Sequence, residues 1–242
     1  SEWLKMEIRR DGKVWYQEYK QGVPQGPLET LGVAQRTGTK ITFKPDPSIF
    51  TNTHFSFDVL NNRLREISFL NAGFIIELND EREDGKNVSH HFEGGIREFV
   101  NTLNRTKTPL HDDVVYIHDE RDGVDVELAM QWNDSYNETI FCYTNNVHNK
   151  DGGTHLTGLR TALTRTINSY GQANKLLKDL KNPLSGEDVR EGITCIVSVK
   201  HPDPSFDSQT KSKLVSSEVK GIVEGIVGDK LGQFLEENPQ NA

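Results

Sequence analysis

The sequence predicts an α+β chain organised as two domains. Three observations lead there. Apolar and polar residues alternate near the start, apolar residues recur at helical spacing in later segments, and a Gly94-Gly95 pair interrupts the pattern between them.

The elements follow in order. Leu4, Met6 and Ile8 alternate with charged residues, Asp11-Gly12 is a hairpin turn, and Val14, Tyr16 and Tyr19 lie on the return strand. Residues 22–26, with two prolines nearby, read as loop. Residues 38–43 form another strand, stopped by Pro45 and Pro47. Over 57–69 the residues Val59, Leu60, Leu64, Ile67 and Phe69 suit a helix with Arg63, Arg65 and Glu66 outward. A second hairpin, 74–78 with 88–92, turns through the acidic stretch 80–85. Gly94-Gly95 marks the domain boundary, and a helix over 96–103 follows it. Strands are expected near 114–118, 124–132 and 139–144. A long helix over 154–170 carries Leu156, Leu159, Leu163, Ile167 and Tyr170 on one stripe. The run 192–200 is a strongly apolar strand. A last helix, 218–235, places Val219, Ile222, Val223, Ile226, Val227, Leu231 and Phe234 at helical spacing.

The 242 residues are 34% hydrophobic and 26% charged, which is polar, yet the periodicity sets the chain apart from disordered sequences. No apolar run approaches the roughly 18 to 20 residues a membrane helix needs, and no signal-peptide pattern opens the chain. The opening Ser1-Glu2-Trp3-Leu4 lacks a starting Met and reads as the continuation of an element, so an internal piece of a longer protein is expected. Cys142 and Cys195 sit in apolar strand-like runs and read as small buried hydrophobes in a reducing cytoplasm. The formal charge of −8 excludes a nucleic-acid binder that is basic everywhere, but leaves room for a local basic patch.

Several chemistries fail on the residues. There is no Gly-x-x-x-x-Gly-Lys-Ser/Thr phosphate loop and no Gly-x-Gly-x-x-Gly opening a helix. The 80–85 turn resembles the start of a calcium loop, but Arg82 occupies the third ligand position and His91 the place of the bidentate Glu, so it reads as a solvated hairpin. His148 and His155 are too far apart to share a helix face, and His90 and His91 point opposite ways. No metal site is expected.

Charge distribution is more informative. Lys150, Arg160, Arg165, Lys175, Lys178 and Lys181 stand against Asp151 and Asp179, a local balance of +4. Composition alone favours a solvated helix face with its loop, and a phosphate-facing surface is the alternative. The segment 203–213 concentrates polar donors between an apolar strand and a helix, and Lys211 there could face an anion. In an extended loop Gln209 would point the same way. The last helix also carries Gly221, Gly225, Gly228 and Gly232 along one side, which reads as drift on an exposed face, as a groove admitting a close neighbour, or as a soft helix able to bend.

Six motifs occur in order and at matching spacing along essentially the whole chain. They are Arg63-Leu64-Arg65-Glu66-Ile67-Ser68-Phe69-Leu70-Asn71, His91-Phe92-Glu93-Gly94-Gly95-Ile96, Tyr143-Thr144-Asn145-Asn146, Asp151-Gly152-Gly153-Thr154-His155, Arg190-Glu191-Gly192 and Gln209-Thr210-Lys211. Together they resemble DNA gyrase B subunits, a family of GHKL-type type II DNA topoisomerases. The topoisomerase IV ATPase subunit shares most of them, but Val215-Ser216-Ser217-Glu218-Val219-Lys220 looks more like gyrase.

The resemblance implies that residues 1–96 are the carboxy-terminal part of a GHKL (Bergerat) ATPase sandwich. Residues 97–242 would be an S5-like transducer domain, with a left-handed βαβ crossover against the usual right-handed rule. Thr39 resembles a threonine that helps hold adenine, and Arg10 an arginine at the pocket rim touched by coumarin-type inhibitors. Gln209 and Lys211 resemble the catalytic pair that reaches the nucleotide, with the lysine on the terminal phosphate. Arg160 resembles an arginine lining a cavity for transported DNA, and Arg165 shares its basic face. The implied activity couples ATP binding and hydrolysis, with Mg2+, to dimer closure, passage of double-stranded DNA and negative supercoiling. It would do so in the cytoplasm, away from membranes, with a DNA gyrase A subunit in an A2B2 assembly. In the family, the Asn, Glu and Asp that hold magnesium, activate water and read adenine precede the region matched here, as does the glycine-rich lid. The chain alone is therefore not expected to hydrolyse ATP. A rival reading makes it only a structural connector.

Overall fold

A computed structural model describes residues 1–83 and 85–241 of the chain. Asp84, in the acidic turn singled out above, lies outside the described residues. The chain divides into two compact units, Ser1–Leu60 and Asn61–Ala242.

The first unit is an antiparallel sheet. β1 (Trp3–Arg10) and β2 (Lys13–Lys20) pair through a two-residue turn, where Asp11 and Gly12 take φ of 53° and 72°. That is the primed turn whose twist matches flanking strands. β3 (Val23–Pro24) and β4 (Glu29–Val33) both pair with β2, and β5 (Gly38–Lys44) pairs with β1. Two of these strands depart from the expectation. The stretch 22–26, read as loop, contains β3, and β4 falls where the apolar pattern marks no strand. Its pairing with β2 shifts register between Val14 and Trp15. β5 is exposed along its whole length, with Ile41 and Phe43 about half exposed.

The division between the units falls inside α1 (Phe57–Leu70), well before Gly94-Gly95. Packing explains this. Phe69 stacks on Phe92 at 3.7 Å and on Phe99 at 4.7 Å between ring centroids. Tyr143 donates to Glu66, and Arg63 donates to the Asn146 carbonyl at 2.6 Å. The later half of α1 and the hairpin of β6 (Ile75–Asn79) and β7 (Asn87–His91) thus belong by contact to the second unit, with α2 (Gly95–Leu103). Gly95, at φ 56°, is the sharp turn that starts α2. In the acidic turn Arg82 donates to Asp80 at 2.8 Å, as suits a solvated hairpin.

The second unit is built on a five-stranded sheet. Its strands are β8 (Val115–Arg121), β9 (Val124–Trp132), β10 (Thr139–Thr144), β11 (Val147–His148) and, after α3 (Thr154–Ala173) and α4 (Gly186–Arg190), β12 (Ile193–Lys200). The spatial order is β11-β10-β12-β9-β8, and only β10 and β12 run parallel. A parallel neighbour requires a crossover, and α3 with α4 supplies it. Val126, Leu128, Met130, Cys195 and Val197 meet Leu159, Leu163, Val223 and Ile226 in one core. Ala129, Tyr143 and Ile196, facing the other way, meet Leu70, Ile96 and Val100 in another. β12 is buried on both faces, which is why it reads as a strongly apolar run, with Thr194 and Ser198 among its apolar residues, rather than an alternating one.

α5 (Ser217–Glu237) lies against α3. A glycine of α3 lets the two helices come close. A Cβ on Gly158 would stand 2.4 Å from the Lys220 carbonyl oxygen, so only glycine fits. The four glycines of α5 behave differently. The space beside Gly221 is open, Gly225 and Gly228 lie under the guanidinium groups of Arg121 and Arg165, and Gly232 touches only the Thr166 methyl. Gly225 and Gly228 thus leave room for arginine side chains.

Candidate functional site

The segment after β12 folds back on itself. Asp207 and Lys213 exchange bonds at 3.1 and 3.2 Å, Phe206 pairs with Leu214, and Ser208, Thr210 and Ser212 link their hydroxyls in series at 2.9 and 3.0 Å. Gln209 and Thr210 occupy the turn, and Lys211 follows at φ 58°. This corrects the expectation of an extended loop, because the alternation that would align Gln209 with Lys211 requires extended backbone. The Lys211 side chain is exposed. Its ammonium lies 5.6 Å above the Phe206 ring and has no carboxylate partner among the described residues. A cation resting on an aromatic face remains available to an anion.

The base of this loop is sewn to the segment entering α3. Asp151 donates to Ser212 at 2.9 Å, Leu214 to Gly152 at 3.0 Å, and Thr154 to Leu214 at 3.0 Å. The last bond satisfies an otherwise orphan amide in the first turn of α3. A Cβ on Gly153 would sit 2.2 Å from the Leu214 carbonyl oxygen, so the Gly152-Gly153 pair is what admits the loop. A side chain adds to the seam: Asn149 Nδ2 donates to the Lys211 carbonyl at 2.7 Å. Movement of the Lys211 loop therefore reaches α3 directly, besides the α5 that follows it.

Arg160 and Arg165 project from α3, each already held. Arg160 bonds Glu138 at 2.6 Å, Arg190 bonds the same carboxylate at 3.1 Å, and Arg165 bonds Glu224 at 2.6 Å. Burial pushes the Glu138 carboxyl up, but the bonds from Arg160 and Arg190 outweigh it and hold the group below the usual range. The local balance of +4 is thus partly offset by acids outside the segment counted.

In the first unit, Thr39 on β5 faces Ile8 across the β1 pairing. Arg10, two residues after Ile8, falls on the same sheet face, since paired residues and i, i+2 neighbours share a face. Arg10 is exposed and lies 3.7 Å from Asp11. Thr39 and Arg10 thus share one end of one sheet, while Gln209, Lys211, Arg160 and Arg165 belong to the second unit.

Sequence reasoning missed Asn149, Glu138 and Glu224. Each acts through a partner 22 to 62 residues away, and no periodicity carries such a signal. Cys142 and Cys195 are buried as expected, and burial pushes the Cys142 thiol up to about 12. No helix among the described residues is long and apolar enough to cross a membrane.

The architecture belongs with the ATP-binding regions of type II topoisomerases. The 43K ATPase domain of Thermus thermophilus gyrase B, solved in complex with an aminocoumarin, aligns with a TM-score of 0.86 at 36% identity, over 99% of this chain and 65% of that one. The family model described as DNA gyrase B matches residues 95–242, and the chain belongs to that family. The DNA gyrase B protein of Haloferax lucentense is 51% identical over 244 residues, covering 99% of this chain and 38% of that protein. Its Bacillus mycoides counterpart is 48% identical over 240 residues, covering 99% and 59%. The chain therefore spans less than two thirds of the length of these relatives.

Proposed function

We propose that this chain serves, within a protein of the relatives' length, as the nucleotide-sensing and transmitting part of an ATP-dependent type II DNA topoisomerase of the gyrase kind. The observation that supports this best is Lys211: an exposed ammonium without a carboxylate partner among the described residues, on a loop bonded at its base to α3 and continuous with α5. On this reading residues 1–96 complete a GHKL ATPase domain and residues 97–242 are the transducer. Lys211 meets the terminal phosphate as a compact point charge, Gln209 adds a hydrogen bond, and Thr39 and Arg10 serve the adenine side and the pocket rim.

The residues present fit part of a nucleotide site. Bound ATP would supply a terminal phosphate whose departure on hydrolysis removes the charge that holds the loop. Among the described residues no three His, Cys, Asp or Glu side chains are grouped to hold a metal by themselves, whereas magnesium beside a nucleotide needs only one or two protein oxygens together with the phosphates. Its ligands, with the general base, would come from the remainder of the full-length protein. Arg160 and Arg165 would face the backbone of transported double-stranded DNA, and a gyrase A subunit would complete a cytoplasmic A2B2 enzyme making negative supercoils. A topoisomerase IV role is the second reading, and the closer likeness of the 215–220 run to gyrase speaks against it.

Lys211→Ala in the full-length protein tests the proposal. ATP turnover should fall roughly 10²-fold, the scale of one lost charged contact in a transition state. Turnover within about threefold of wild type would overturn the role of Lys211.

A further inference from the structure

Lys211 holds a backbone conformation that residues with a side chain rarely adopt, at φ 58°, in a loop whose own side chains are exposed hydroxyls and charges. Something must keep it there. Its amide donates to the Ser208 carbonyl at 3.0 Å, a bond within the loop. Its carbonyl is taken from outside the loop by Asn149 Nδ2 at 2.7 Å. We propose that Asn149 is the positioning residue for Lys211: its buried carboxamide, tied to Thr144 and His155, fixes the backbone from which the ammonium projects.

The acceptors around Asn149 fix which atoms donate to it. A carbonyl oxygen only accepts, so the atom facing Lys211 is the amide nitrogen of Asn149. The carboxamide oxygen then faces Thr144 Oγ1 at 2.7 Å and His155 Nε2 at 3.0 Å, and both must donate. His155 therefore carries its proton on Nε2. Burial, with the Gly153 backbone opposing, depresses its pKa to about 4 and keeps the ring neutral. Asn149, Thr144 and His155 are all buried, and the Asn149 amide is itself anchored to the Cys142 carbonyl at 2.8 Å. The anchor thus joins the end of β10 and the first turn of α3 to a single backbone oxygen on the exposed loop. The other seam bonds, at Ser212 and Leu214, are made by backbone and fasten the base of the loop rather than Lys211 itself.

The inference rests on the reading of Lys211 as the phosphate contact, so the test separates the two. Full-length proteins carrying Asn149→Asp, Thr144→Val, Lys211→Ala, and Asn149→Asp with Lys211→Ala are compared. Asn149→Asp keeps the shape but turns an acceptor toward the Lys211 carbonyl, and Thr144→Val removes one tie without touching the loop. For Asn149→Asp, kcat should fall roughly 10- to 100-fold, the scale of a misplaced catalytic group, with KM for ATP within about twofold. Thr144→Val should fall less, in the same direction. Hydrogen exchange should speed up at the amides of 208–214 and stay unchanged in β12. In the Lys211→Ala background Asn149→Asp should lower turnover no further, the non-additivity expected of residues acting as a unit. A fall of similar size in that background, or unchanged kcat and exchange in both Asn149→Asp and Thr144→Val, overturns the inference. If Asn149→Asp does not fold, Thr144→Val decides by the same readouts. Undiminished turnover in Lys211→Ala would instead remove the phosphate role of Lys211, and the exchange data would still report whether Asn149 holds the loop.

Discussion

Arg160 places Nε and Nη2 on one oxygen of Glu138, at 3.0 and 2.6 Å, while the other oxygen of that carboxylate takes Arg190. Two cations share one acid, so the cluster keeps a net positive charge. An ion pair this exposed contributes at most about 1 kcal/mol. A DNA phosphate could therefore replace Glu138 as the partner of Arg160 at little cost.

Glu138→Gln should consequently strengthen binding of the chain to duplex DNA a few-fold and steepen its salt dependence by about one unit. Arg160→Ala should shift both in the opposite direction, without sequence preference. Fluorescence anisotropy across a salt series reads both effects. Unchanged or weaker binding by Glu138→Gln would mean that the face is only solvated.

The glycines of α3 and α5 should respond oppositely to alanine. Gly221 has open space, so Gly221→Ala should stabilise the chain by about 0.5 to 1 kcal/mol through helix propensity alone. Gly158→Ala drives a methyl into the Lys220 carbonyl and should cost about 1 to 3 kcal/mol as the helices part. Urea unfolding of the two variants checks this. Equal effects would remove the distinction between an exposed glycine and a packed one.

Much of the second unit was legible because its physics is local. β9 and β10 lie where apolar runs end at turns. β12 reads as strongly apolar because both of its faces are buried, and α5 shows its stripe because one side meets α3. The start of α4 carries a local signal too, a reciprocal capping box between Ser185 and Asp188, but a helix this short has no apolar stripe to draw attention to it. β4 was hidden by Gly32 and by its shifted pairing with β2. The contact boundary at Leu60 was hidden for a different reason. The stacking of Phe69 on Phe99 joins segments on either side of Gly94-Gly95, a contact that the periodicity of neither segment signals. The candidate site divides likewise. Resemblance singled out Lys211, but the side chain that holds its carbonyl, Asn149, lies 62 residues earlier.

Acid should weaken the fold through His155. This residue is fully buried and its pKa is held down to about 4, against about 6.5 for an imidazole in an unfolded chain. Between those values the unfolded chain takes up a proton that the folded chain refuses. Stability is therefore highest above pH 6.5 and is lost as pH falls toward 4. From pH 7 to pH 5 this one group should cost about 2 kcal/mol. Burial depresses His148 and His90 in the same direction, so the wild-type slope is a sum. His155→Gln isolates one contribution, because the amide can still donate to Asn149 Oδ1 but does not titrate. Urea midpoints of the variant should fall less between pH 7 and pH 5 than those of wild type. Parallel slopes would mean that His155 takes up its proton over this range as readily in the folded chain as in the unfolded one, and its burial would then not exclude the charged ring.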